Sequence, residues 1–353
     1  MRHRTPLEFS KRALGAITRA LVAITLATVT ALLVKLPALG AETGTRPFAV
    51  VDLHVDLSYQ SGYRSRAFER GTGQFAAADL ARAGVSGVVL PLYVPRKVSP
   101  AGPRISDLEA SYARVFGALA TTKPYRLPGC LPNEGGVGTW LAFEGAGQLA
   151  AQPETLVSFA ARGVRVLGLV HTFHNELASS SGEPRAQFGL TKAGEELVQR
   201  ALSLRMVPDV SHASDRATRE VAALAKRAGR AAIATHSNAR AVADHPRNLA
   251  DAELRAIADT GGVVGVNFHA PFLRREGRAG IGDVVRHVKH MLRVMGPKHV
   301  ALGSDFEGDI TPAAGLETAA GYQALAQALL SDGVAKEDVE AVFSRNARRV
   351  LCE

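Results

Sequence analysis

From Pro47 onward the chain repeats one pattern: a short run of Val, Ile, Leu and Ala, then a longer stretch whose apolar positions recur at helical spacing. The runs at 49–56, 85–93, 139–144, 164–171, 206–212, 231–236, 262–268 and 299–305 read as eight strands. Between them, 76–83, 107–120, 154–162, 193–204, 215–228, 251–258 and 281–294 read as helices, several followed by glycine, and a closing pair covers 319–331 and 336–351. Eight strands alternating with helices predict one α/β domain over residues 46–353, a (β/α)8 TIM-type barrel rather than an open doubly wound sheet, which typically has fewer strands. No GxGxxG follows the first strand, so a dinucleotide fold loses its usual support.

Residues 1–41 follow a different pattern. A basic stretch precedes a fifteen-residue run from Ala20 to Val34 without charge, and Leu36-Pro37-Ala38-Leu39-Gly40 then breaks it with small residues. That layout predicts a signal peptide cleaved near Gly40 or Ala41, with an uncleaved membrane anchor as the alternative, although a bilayer span needs about 20 apolar residues. The expected location is periplasmic or extracellular. This segment also accounts for +5 of the formal +9 charge, leaving +4 on the rest, and with aromatics at 6% there is little reason to expect a nucleic-acid partner. Cys130 and Cys352 are the only cysteines, too few for a disulfide framework or a thiolate metal site; one bridge between them is permitted.

Barrel enzymes carry their reactive side chains at the carboxyl ends of the strands. Six of the eight strands end in such residues: His54-Val55-Asp56, Glu144, His171, His212, His236 and Asp305. One polar residue at a strand end means little, and a lone histidine is more often structural than a ligand. Jointly they would project into one mouth, where chain-distant imidazoles and carboxylates can converge on a cation. His54 and Asp56, two apart on a strand, leave on the same face. Glu144 could bridge two ions, and His212 and His236 could complete the second. Nitrogen and oxygen donors without thiolates suit Zn²⁺, with Mn²⁺ or Co²⁺ as substitutes.

The motifs Asp52-Leu53-His54-Val55-Asp56, Phe143-Glu144-Gly145, the run from Gly163 to His171, Gly189-Leu190-Thr191, Asp209-Val210-Ser211-His212, Thr235-His236-Ser237 with Ala239-Arg240, Arg247-Asn248, and Gly303-Ser304-Asp305-Phe306 carry a resemblance to the membrane dipeptidase (renal dipeptidase-type) family of zinc peptidases, more to its bacterial members. It implies an amidohydrolase-like barrel with two Zn²⁺ per chain, His54 and Asp56 on the first, His212 and His236 on the second and Glu144 on both. It further implies an attacking hydroxide between the ions, His171 steadying the oxyanion, Asp305 as acid/base, and Arg240 holding the substrate's terminal carboxylate. Dipeptides would be cleaved, with tolerance of a D-residue at the carboxyl-terminal position, and the chain would dimerise. After His171 the sequence Thr172-Phe173-His174-Asn175 lacks the Pro-Trp of the animal enzymes, which leaves the pocket shape open. His269, just past the seventh strand, is a candidate pocket wall.

Two other functions fit the same pattern less well. A deacylase or lactonase of the commonest barrel type would want a lysine at the third or fourth strand end, where Glu144 stands instead. A non-catalytic envelope binding protein would be expected to lack a ligand or Asp305, and none is missing.

Overall fold

The computed structural model describes residues 46–98, 104–130, 135–183 and 188–353; the expected signal peptide or anchor lies outside them. No helix among the described residues is long and apolar enough to cross a membrane.

The strands are β1 (Val50–Asp52), β2 (Val85–Tyr93), β3 (Tyr125–Arg126), β4 (Val137–Glu144), β5 (Val164–Gly168), β6 (Val207–Asp209), β7 (Val264–Val266) and β8 (Val300–Leu302). All pair in parallel, and the path runs β6-β5-β4-β2-β1-β8-β7, with the two-residue β3 attached to the start of β4. Residues 231–236, expected as a sixth full strand, close the ring by two single parallel bridges, Ile233 to Asp209 and Ala234 to Val264. Backbone hydrogen bonds from Val210 N to Ile233 O (2.8 Å) and from Gly265 N to Ala234 O (2.8 Å) flank these bridges. The result is the (β/α)8 barrel.

The surrounding helices are α1 (Leu57–Tyr63), α2 (Ile105–Thr121), α3 (Thr155–Ala161), α4 (Lys192–Ser203), α5 (Asp215–Arg227), α6 (Asp251–Ala258), α7 (Ala270–Leu273), α8 (Ile281–Met295), α9 (Gly321–Ser331), α10 (Lys336–Glu340) and α11 (Asn346–Cys352). α4 and α5 begin where a hydroxyl can cap: Thr191 accepts the Gly194 N–H, and Ser214 the Ala217 N–H. The stretch 76–83 forms successive turns rather than the expected helix. Only Leu80 and Ala83 give it a fully buried anchor, and a short helix depends on tertiary packing for its stability.

Alternation along the strands divides the core in two. Val51, Leu53, Val89, Trp140, Ala142, Val166, Val207, Ile233 and Ala301 pack together with Val350 and Leu351 of α11 in one cluster. A much larger cluster joins the outward-facing strand residues, such as Val50, Leu90 and Phe143, to the helices. Cys130 and Cys352 are joined in a disulfide, which ties the approach to β4 to the end of α11 across 222 residues of sequence. So long a loop loses much freedom in the unfolded chain when it is closed.

The Cys130→Ser/Cys352→Ser double variant should therefore fold to the same structure but lose about 2–4 kcal/mol in urea unfolding. An unchanged midpoint would mean that the bridge contributes nothing beyond packing already made by α11.

Candidate active site

Four strand exits turn in the same way. At the end of β1 the Asp52 carboxylate accepts the N–H of His54 (2.9 Å), and at the end of β6 Asp209 accepts that of Ser211 (2.9 Å). Past β7, Asn267 accepts the N–H of His269 (2.6 Å); past β8, Ser304 Oγ accepts that of Phe306 (3.1 Å). Each is a short polar side chain binding backbone two residues on, which turns the chain out of the strand while keeping its next side chains over the barrel mouth. Two of these carboxylates also span strands: Asp52 takes the Ser304 N–H (3.0 Å), and Asp209 the Thr235 N–H (2.9 Å). His212 and Asp305 themselves sit at positive φ, 67° and 66°, a conformation that non-glycine residues adopt only where the surroundings impose it.

The expected ligands meet. His54, Asp56 and Glu144 form one group, Glu144, His212 and His236 a second, and His54, His236 and Asp305 a third, with ligand atoms within 4.8 Å of one another in each. Glu144 Oε1 lies 3.1 Å from His212 Nε2, 3.5 Å from His54 Nε2, 3.7 Å from His171 Nε2 and 3.8 Å from His236 Nε2. The Nε2 atoms of His212 and His236 are 3.0 Å apart. His54 Nε2 is buried and makes no hydrogen bond among the described residues. Imidazole nitrogens crowded around one carboxylate, one of them buried without a partner, fit divalent cations. Gly308 keeps the approach open, because a Cβ there would stand 2.8 Å from Asp56 Oδ2 and 2.9 Å from Asp305 Oδ1.

Protein groups alone shift the three carboxyls in different directions. Burial raises Asp305 to about 7, helped by Asp56 and Glu144 and opposed by His54 and the amide of Asn267, which donates to Asp305 Oδ2 at 2.9 Å. Burial likewise lifts Asp56 to about 6. Glu144 goes the other way: burial would raise it, but His54, His171 and His212 together hold it well below the usual carboxylate range. His212 and His236 are driven down by burial, with Arg247 adding to it, which favours the neutral form that can bind a cation, whereas Glu144 and Asp56 raise His54 against the effect of burial.

A cavity of about 260 Å³ opens over this cluster, smaller than the roughly 300–1,000 Å³ common for drug-sized ligands. Glu144, His171, His212, Asp305 and Asp56 reach it from the strand ends; Tyr59, Tyr93, Phe272 and Ile310 form apolar wall, and His269 stands there as well. His269 Nδ1 accepts the Thr311 N–H (3.1 Å).

Arg240 is not brought to this cavity. Its guanidinium makes two 2.6 Å hydrogen bonds to Asp215 at the start of α5, and its Nε donates to Asn248 O (2.9 Å), so its charge is already matched by a carboxylate. The cavity arginine is Arg247, only 9% exposed. It donates to Ser237 Oγ and His236 O (both 3.3 Å), and among the described residues its Nε has no partner and no carboxylate pairs with it. Burial lowers its acidity constant's exponent from the ordinary arginine value. The resemblance implied Arg240 for this role, and Arg247 offers the same chemistry seven residues later. What separates them is the loop path, folded back by the bridge between Ala239 and Leu249.

A profile of the membrane dipeptidase family (Peptidase family M19) matches residues 42–353. A Klebsiella pneumoniae protein described only as lying in the pqqA 5′ region is 40% identical over 218 residues, 59% of this chain and 79% of its own. Dipeptidase aclJ of Aspergillus oryzae is 33% identical over 223 residues, 62% of this chain; the match spans about half of that protein, 52%. Among solved structures, a metallo peptidase from Rhodobacter sphaeroides, liganded with a phosphinate mimic of the dipeptide L-Ala-D-Ala, superposes with a TM-score of 0.76 at 25% identity. That match covers 86% of this chain and 99% of the other.

Elemental analysis should find divalent metal in the purified protein and much less in Glu144→Gln, which keeps the shape but removes the shared anion. Metal at a hundredfold excess over Kd should stabilise stripped wild type by about 3 kcal/mol and the variant by far less. Equal metal content in both proteins would contradict a metal centre built on Glu144.

Proposed function

Because the chain belongs to the membrane dipeptidase family, peptidase family M19, we propose that it is an exported metallo-dipeptidase that hydrolyses free dipeptides using two divalent cations, zinc by preference. The observation that carries this reading is Glu144 shared between two donor sets under a small cavity that also holds His171, Asp305 and Arg247. Imidazole and carboxylate donors without thiolate favour Zn²⁺. A bound cation pair would polarise the scissile carbonyl and lower the pKa of attacking water toward neutrality.

The chain's own groups supply the rest. Arg247 holds the substrate's terminal carboxylate in a two-pronged hydrogen bond, which a long peptide cannot offer at that distance. His171 donates from Nε2 to the carbonyl oxygen as negative charge develops there. Asp305 takes a proton from the water that adds to the carbonyl carbon and delivers it to the departing amine nitrogen as the C–N bond breaks. Tolerance of a D-residue at the carboxyl-terminal position is supported by the L-Ala-D-Ala mimic in the Rhodobacter sphaeroides relative. Export is supported by the Cys130–Cys352 disulfide, a bond that persists in oxidising compartments. Recovery of the protein in the cytoplasm, both thiols reduced, would remove that part of the reading.

Zinc-loaded protein should release free amino acids from Ala- and Gly-containing dipeptides, L-Ala-D-Ala included, but not from their carboxyl-terminal amides or from N-acyl amino acids. Asp305→Asn should lower kcat by about 10²–10⁴. Arg247→Ala should cost roughly 2–5 kcal/mol in kcat/KM, mostly through KM. Arg240→Ala should act chiefly on stability, by about 1 kcal/mol or less, as a partly exposed ion pair does. Equal hydrolysis of dipeptides and their amides, or a metal-free preparation with full activity, would defeat the assignment.

A further inference from the structure

Thr235 has no part in the chemistry above, yet its hydroxyl lies between the two groups of ligands. Its Oγ1 is 3.2 Å from His54 Nδ1 and 2.9 Å from His236 Nδ1, and it donates to Asp209 Oδ2 at 2.6 Å. Asp209, 4% exposed, is itself held by the N–H groups of Ser211 and Thr235, both 2.9 Å from its Oδ1. A hydroxyl has one proton and two lone pairs. With the proton committed to Asp209, the lone pairs face the two imidazoles. We propose that Thr235 is a positioning residue that fixes His54 and His236 together in the Nδ1–H form, leaving both Nε2 atoms free for metal and linking the two cation positions through one hydroxyl. This rests on the two-cation reading above.

The arrangement has a definite direction. Asp209 can only accept when ionised, so the threonine proton points away from the rings and each ring must donate to the same oxygen. An imidazole that lost this acceptor could place its proton on Nε2, the nitrogen that faces Glu144, and would then be unable to bind a cation through it. Of the two groups that share Glu144, His54 belongs to one and His236 to the other, so the loss would be felt at both positions. Ser211 Oγ, also 3.2 Å from Thr235 Oγ1, accepts the His236 N–H (3.0 Å) and competes for the threonine's lone pairs.

The test measures metal affinity and histidine tautomers rather than turnover. Zinc titration against a chromophoric chelator should give two equivalents for wild type, and affinities roughly 10–100-fold weaker at both positions for Thr235→Val. Thr235→Ser should restore both; Ser211→Ala should leave both intact. Asp209→Asn, made in the Ser211→Ala background so that no serine oxygen can take the threonine proton, can keep its oxygen on the two backbone N–H groups and turn its amide toward Thr235, so the hydroxyl must donate to one ring; one equivalent should be lost. Long-range ¹H–¹⁵N spectra of histidine-labelled protein should show Nδ1–H at both rings in wild type and an Nε2–H ring in that double variant. Circular dichroism and an intact disulfide establish that each variant is folded. Thr235→Val binding as tightly as wild type at either position, failure of serine to restore it, or unchanged tautomers in the Asp209→Asn/Ser211→Ala double variant overturns the proposal. Wild type taking up fewer than two equivalents sinks the two-cation reading instead, and the tautomer spectra still decide the role of Thr235.

Discussion

The site depends on one buried carboxylate. Glu144 ends β4, the strand most fully paired on both sides, and its Oε1 has four imidazole nitrogens within 4 Å. Burying an anion is costly unless positive or polarisable partners meet it, and here the partners come from β1, β5, β6 and the short segment that closes the ring. The lowered pKa of Glu144 follows from this crowding against the opposing effect of burial. Without the closed barrel these side chains belong to distant parts of the chain; without Glu144 the imidazoles would face one another with nothing between them.

The strand exits explain how the geometry is held without long supporting loops. A polar side chain at the exit of β1, β6, β7 or β8 binds the backbone two residues later, and in two cases the same carboxylate binds the neighbouring strand. Tyr322 on α9 adds a hydroxyl donated to Asp52, so even the outer helical layer is joined to the first ligand strand. Glu307 does similar work beside Asp305: fully buried, it accepts the N–H groups of Thr72 (2.5 Å) and Phe75 (2.9 Å) and ties the 71–75 turn to the exit of β8. Such side chains hold the reactive groups in one arrangement before any ligand arrives.

Most of the barrel, and the residues that gather at its mouth, were legible in the sequence because both depend on local signals. Apolar runs at regular intervals mark strands, and His or acidic residues where those runs stop mark the mouth. What escaped depends on tertiary contacts. The segment 231–236 reads like any other strand, but as the ring closes between β6 and β7 it makes only single bridges. Helix α1 falls directly after Asp56, where the site motif masks its weak periodicity. Arg240 and Arg247 differ in what the fold sets beside them, a carboxylate in one case and a cavity in the other, and nothing in their spacing from His236 says which. The disulfide was permitted by count alone, and its formation required α11 to end beside Cys130.

Arg247 shows why the cavity is suited to an anion. A buried guanidinium without a carboxylate partner is unfavourable in itself, and its field also disfavours positive charge on His171, His212 and His236. Each cation placed on those imidazoles therefore meets a repulsion from Arg247, which acts against the attraction of its carboxylate ligands. A ligand carboxylate beside Arg247 would remove both penalties at once. In the dipeptidase reading, substrate and metal then bind with mutual support, and by linkage the metal strengthens the substrate as much as the substrate strengthens the metal. Selection for a terminal carboxylate close to the scissile bond follows from the same imbalance of charge, because a neutral chain continuing past that point would leave Arg247 desolvated and unpaired.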